Sequence, residues 1–157
     1  MHQEVIMRAV IAGFPGIGKT HLLSRPGGPA HDLDGGAYKY SDATMSETDP
    51  KWPQNYLDEI VAQANRNIPV PLLISSYPEV ISALIKLGIV VTLVYPGPGQ
   101  EEEYMCRYRK RGSTEKFQEV METNFRSFLA TLSAFTECRQ VVLQPGQYLS
   151  DVIHRIM

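Results

Sequence analysis

Gly13-Phe14-Pro15-Gly16-Ile17-Gly18-Lys19-Thr20 is the stretch whose reading decides the fold. Before it, Val5 to Ala12 is apolar apart from Arg8 and rich in Val and Ile, as a buried parallel strand would be. After it, Lys19 to Leu23 suits a helix, which Pro26-Gly27-Gly28-Pro29 stops. A strand, then Gly-x-x-x-x-Gly-Lys-Thr, then a helix is the context of a phosphate-binding P-loop. Gly13, Gly16 and Gly18 let the backbone bring its N–H groups to a phosphate with no Cβ in the way. The helix N-terminus adds the positive end of its dipole. Lys19 is expected to reach the β- and γ-phosphates of ATP, and the Thr20 hydroxyl to ligate Mg²⁺. The expected nucleotide contacts are Gly13, Pro15, Gly16, Ile17, Gly18, Lys19, Thr20 and His21.

Outward from the loop, strands alternate with helices. A short strand ends at Asp32 or Asp34, before Gly35-Gly36. Residues 35–53 are polar, lack clean periodicity and read as a long functional or mobile loop. Pro53 opens a helix through about Asn65, with Tyr56, Leu57, Ile60, Val61 and Ala64 on one face. Val70 to Ser75 and Ile89 to Tyr95 read as buried strands, separated by a helix from Pro78 to Leu87 that Gly88 closes. A charged helix covers Glu101 to Arg111 and stops at Gly112. Another runs from Ser113 or Thr114 to about Phe135. Val141 to Leu143 is a last strand and Leu149 to Met157 a last helix. The fold class is α/β, a P-loop NTPase three-layer sandwich of about five mostly parallel strands, with an Arg-rich helical lid near 97–112.

The chain has 157 residues, enough for one domain with one core. A hydrophobic content of 43% and a charged content of 20% are ordinary for a folded soluble protein. The net charge of −2 argues against a broad sequence-independent grip on nucleic acid, while leaving room for a local basic patch. Cys106 and Cys138 have no metal-like spacing, as expected of a reduced cytosolic protein. Neither a secretory signal nor an apolar run of membrane-spanning length is visible. The four histidines form no metal set. His21 and His31 read as surface residues, with His21 counted among the nucleotide contacts by its place after Thr20.

P-loop chemistry needs an acid, usually at a strand end. The strand at Val70 to Ser75 runs into Ser76-Tyr77 without one. Asp32 and Asp34, two apart on an extended segment, point to one face and are the replacements. Asp34 is assigned as base or acceptor-orienting residue and Asp32 as Mg²⁺ support, with the roles exchangeable; solvated carboxylates at an Asp-Gly turn are the alternative. Tyr38, Tyr40 and Trp52 are expected to contact the acceptor, since aromatic faces stack on nucleobases; core packing is the alternative for Trp52 and Tyr56. Lys39 reads either as a partner for an acceptor phosphate or as a solvated side chain. Ser75 and Ser76 either contact the acceptor or end a strand.

Arg107 and Arg111 are expected to face the transferring phosphoryl group. Arg109 lies about 160–200° round the helix from them and is left to solvent or another ligand phosphate. Glu101-Glu102-Glu103 at one end and Arg at the other are also what the helix macrodipole favours. Gln144 and Gly146, in a turn after the last strand, either frame the adenine or form a plain turn.

Phe14 to Thr20, Asp32-Leu33-Asp34, Trp52-Pro53-Gln54-Asn55-Tyr56, Glu102 to Gly112 and Pro145 to Asp151 together resemble the small P-loop kinases of bacteriophages and prophages. The resemblance spans nearly the whole chain. It departs at Gly35-Gly36, where several members carry Ser-Ser. Related phage kinases phosphorylate 5-hydroxymethyluracil within DNA, so the resemblance implies a DNA-modifying kinase acting in the cytoplasm of an infected bacterium. A deoxynucleoside monophosphate kinase is the alternative from the same chemistry. A nucleotide-gated binding module with weak ATPase activity is the alternative from a different class.

Overall fold

Gly13 is the last residue of a strand flanked by a strand on each side. The computed structural model describes residues 8–19, 22, 31–42 and 47–156. Its strands are β1 (Val10–Gly13), β2 (His31–Leu33), β3 (Leu72–Ser75), β4 (Val91–Pro96) and β5 (Arg139–Leu143). They form one sheet in the order β2-β3-β1-β4-β5, and every pairing is parallel. Every residue of β1 and β4 is buried, as expected of central parallel strands covered on both faces. In register, Gly13 lies opposite Ser75 on one side and Val94 on the other. The chain leaves β1 toward the β2 edge and leaves β4 toward the β5 edge. Ligands of α/β sheets bind where connections diverge in this way, at the carboxyl ends of the strands.

The helices are α1 (Gly36–Lys39), α2 (Gln54–Ala64), α3 (Pro78–Lys86), α4 (Glu101–Lys110), α5 (Glu115–Ser133) and α6 (Leu149–Ile156). Local signals set most of their ends. Pro78 opens α3, Gly88 follows it at φ +77°, and Gly112 follows α4 at φ +75°. The Thr114 side chain caps α5 by accepting from Phe117 N at 3.1 Å. In α6, Leu149, Val152, Ile153 and Ile156 form one buried stripe.

Four expectations need correction. Residues 35–53 are not structureless: they hold α1 and an antiparallel bridge between Tyr40 and Thr48. The last strand begins at Arg139, because its outer residues pair with β4 although they are polar. The strand predicted from Val70 begins at Leu72. His31 is a half-buried residue of β2, with Nδ1 3.4 Å from Arg8 Nη1. Lys19 and Leu22 are helical; the rest of the predicted first helix, with Thr20 and His21, lies outside the described residues. Among the described residues, no helix is long and apolar enough to cross a membrane.

Candidate active site

The β1 ladder carries one residue past the strand, with Phe14 N donating to Val94 O at 2.9 Å. Ile17 N then closes a turn on Phe14 O at 3.3 Å. Gly16 and Gly18 have φ of +90° and +94°, where any Cβ would be strained. Lys19 bends back over this loop, its Nζ donating to Gly13 O at 3.4 Å.

The far side of the loop is walled by α4 and residues 144–149. A Cβ on Gly16 would lie 2.8 Å from Tyr108 Cε1, and one on Gly18 would lie 2.9 Å from Tyr148 Cδ1. Three successive loop carbonyls are fastened to this wall. Tyr108 Oη donates to Pro15 O at 2.8 Å, Arg107 Nη1 to Gly16 O at 2.9 Å, and Leu149 N to Ile17 O at 2.7 Å. Across a trans peptide, N–H points opposite to C=O. The amides of Gly16 and Gly18 are thereby turned away from the wall, as a phosphate cradle requires.

Arg107 is fully engaged in this wall. Its Nη2 donates to Gln147 O at 3.0 Å and pairs with Glu103 Oε2 at 2.8 Å. Its guanidinium lies between the rings of Tyr104 and Tyr148, at 4.3 and 3.9 Å from their centroids. Glu103 Oε1 accepts from Gly146 N at 2.9 Å, so the 144–147 turn is tied to the same helix. Gln144 and Gly146 are exposed on that turn, and Gln144 N donates to Gln147 Oε1. Arg109 is exposed at the end of α4. The two arginines expected to face the phosphate therefore differ: Arg107 holds loop backbone, while Arg111 Nε donates to Ser113 Oγ at 2.8 Å and its guanidinium lies 5.0 Å from the Tyr108 ring centroid.

Lys19 feels the charges of Asp32, Asp34 and Arg111. Burial lowers the Lys19 pKa; Asp32 and Asp34 oppose that shift, and Arg111 adds to it. Burial raises the Asp32 pKa, with Lys19 pulling it back and Asp34 pushing it further up. Burial also lowers the Arg111 pKa, against the nearby Tyr108 and Asp34. Asp32 Oδ1 is buried and has no hydrogen-bond partner among the described residues. A buried carboxylate oxygen left this way suits a cation or its bound water, so Asp32 fits Mg²⁺ support. Asp34 is exposed one residue past β2, with Oδ1 accepting from Gly36 N at 3.0 Å.

On the β2 side the aromatics sort themselves by depth. Tyr56 is fully buried; its hydroxyl donates to Leu33 O at 2.6 Å and accepts from Ser75 N at 3.0 Å, joining the ends of β2 and β3. Trp52 stacks on Tyr56, with centroids 5.6 Å apart, and meets Tyr77 edge-on at 4.9 Å. Tyr38 packs on Tyr56 at 5.1 Å. Ser75 Oγ accepts from Gly35 N at 3.0 Å, so this serine fastens a strand end, and half-buried Ser76 follows it. A Cβ on Gly35 would lie 2.5 Å from Tyr77 Cε2, which explains a glycine there. Tyr40 and Tyr77 flank the Lys39 ammonium.

The structure adds Glu103, Tyr104, Tyr108, Tyr148 and Tyr77 to the residues that shape the site. The first four stand inside the Glu102–Gly112 and Pro145–Asp151 motifs, so their presence was signalled but their direction was not. Tyr77 carried no signal beyond following the strand-end serines.

No protein-family model and no curated protein matches the chain. Several solved structures share its fold, among them the two that follow. A gluconokinase from Sinorhizobium meliloti 1021 aligns with a TM-score of 0.56 and 17% identity, covering 98% of this chain and 91% of that one. The Deinococcus radiodurans tunicamycin resistance protein aligns with a TM-score of 0.56 and 20% identity, covering 95% and 93%. At such identities the likeness is one of fold, an α/β sandwich around an all-parallel five-stranded sheet.

Proposed function

We propose that this chain is an ATP- and Mg²⁺-dependent phosphotransferase acting on a hydroxyl group. The observation that carries the reading is a glycine loop whose carbonyls are fastened from behind and over which Lys19 bends, at the strand ends where Asp32 keeps a buried oxygen with no partner among the described residues. Gly13 to Thr20 hold the triphosphate, and Lys19 neutralises the β- and γ-phosphates. Mg²⁺, when bound through Thr20 and Asp32, offsets charge developing on the phosphate oxygens. Asp34 takes the acceptor's proton as the acceptor O–P bond forms and the β–γ bridging P–O bond breaks, leaving ADP. Arg111 stabilises the charge on the moving phosphoryl group. Arg107 positions the loop.

As acceptor we propose the hydroxymethyl oxygen of 5-hydroxymethyluracil in DNA. The motif resemblance supports it, as does the carboxylate of Asp34 beside Gly35, which packs on Tyr77, a ring in contact with Trp52. A base in duplex DNA has to leave the stack to reach Asp34. A free deoxynucleoside monophosphate is the second reading, favoured by the net charge of −2, which is a poor match for duplex DNA. Transfer of radiolabel from γ-labelled ATP decides between them. Label in hydroxymethyluracil-containing DNA is expected; label only in free monophosphates moves the acceptor to the second reading. Tight ATP binding with no transfer to any acceptor leaves a nucleotide-gated binding module.

A further inference from the structure

We propose that the acceptor carries an anionic group and that Lys39 is the residue that receives it. This rests on the phosphotransferase reading for its meaning, though the test below does not need ATP. Lys39 ends α1, the short helix that starts two residues after Asp34. Its Nζ lies 4.7 Å from the Tyr77 ring centroid, 5.5 Å from Tyr40 and 5.8 Å from Trp52. Among the described residues no carboxylate comes within ion-pair distance of it. Ring faces attract an ammonium through their quadrupole but accept little from its N–H groups, so the donors keep their capacity for an anion.

The placement is fixed by more than the rings. Asp49 N donates to Lys39 O at 2.7 Å, and Asn55 Nδ2 donates to the preceding Tyr38 O at 2.8 Å. The Tyr40–Thr48 bridge closes the segment behind it. The Tyr77 ring that carries Lys39 also presses on Gly35, the neighbour of Asp34. Base and ammonium therefore share one wall. A freely solvated lysine has no need of three rings and an anchored backbone, whereas an acceptor bearing a phosphate or carboxylate needs an ammonium held beside the base.

Trp52 is the only tryptophan and touches this cluster, so its fluorescence reports on the site. We would titrate the full chain, without nucleotide, with two pairs that differ in charge: thymidine against thymidine 5′-monophosphate, and glucose against gluconate. A short single-stranded oligothymidylate separates a polymer phosphate from a mononucleotide. In at least one pair the anionic member is expected to bind about tenfold more tightly. Lys39→Gln is expected to cut that preference below about twofold, and Lys39→Arg to restore most of it, since charge rather than shape is what the site supplies. Equal affinities within both pairs, no emission response to any ligand, or a preference that survives in Lys39→Gln would each overturn the proposal. Failure of the phosphotransferase reading would show separately, as wild-type protein that binds no Mg·ATP.

Discussion

The two halves of the site are built in opposite ways. On the proposed nucleotide side, the carbonyls of Pro15, Gly16 and Ile17 all have donors, and Arg107 is bonded on three sides. On the proposed acceptor side, Asp34 is exposed, and among the described residues Asp32 Oδ1 has no partner and Lys39 has rings around it but no counter-charge. A half that binds the same triphosphate every turnover gains from rigidity, because preorganised dipoles need no reorganisation during reaction. The half that admits an acceptor has to leave its polar groups unsatisfied until that acceptor arrives.

Substitutions test whether this division is real. The largest effect is expected from Lys19→Ala, which should lower ATP turnover by more than about 10³-fold in a coupled ADP-release assay. Asp34→Asn should lower turnover by roughly 10²–10³-fold while leaving ATP affinity within about twofold, a split that binding calorimetry alongside kinetics would reveal. Loss of ATP affinity instead would move Asp34 to the nucleotide half.

Stability changes should be smaller and should also divide by side. Arg107→Ala strands two backbone carbonyls and Glu103, and is expected to cost about 2–3 kcal/mol, or roughly 5–10 °C in Tm by calorimetric scan. Arg107→Lys should not recover it, because one ammonium cannot span Gly16 O and Gln147 O as the planar fork does. Gly35→Ala forces a Cβ against Tyr77 and should cost about 1–3 kcal/mol, with its kinetic effect on the acceptor KM.

The smallest effect is pH-dependent. Burial raises the Asp32 pKa, so the folded state disfavours its carboxylate. The penalty is absent below the ordinary Asp range and appears as pH rises through it. Asp32→Asn should therefore raise the Tm of nucleotide-free protein by about 2–4 °C near pH 7.5 and change it little near pH 4. The same variant should bind Mg·ATP less tightly.

The rigid half was the more legible one in the sequence. The loop, the Gly88 and Gly112 helix ends and the Thr114 cap are local patterns, and the structure shows the loop after a buried strand and each of these helix ends where short-range chemistry places it. The role of Arg107 was not legible, because its spacing on α4 is equally good for a phosphate or for the back of the loop. Only the tertiary packing of Tyr104 and Tyr108 against Phe14, Phe125 and Phe117 decides which way that helix faces. The acceptor half was harder still. α1 is one turn long with no buried residue, so it leaves no periodicity to read. The aromatic cluster draws Tyr40, Trp52 and Tyr77 from separate segments that β2 and β3 bring together. Its membership is set by strand pairing rather than by local sequence.

Titration of well-folded wild-type protein with Mg·ATP by isothermal calorimetry tests the central claim most directly. Saturable one-to-one binding in the micromolar to submillimolar range is expected, abolished in Lys19→Ala. Absence of binding heat at several temperatures in wild-type protein, or unchanged affinity in Lys19→Ala, would contradict it.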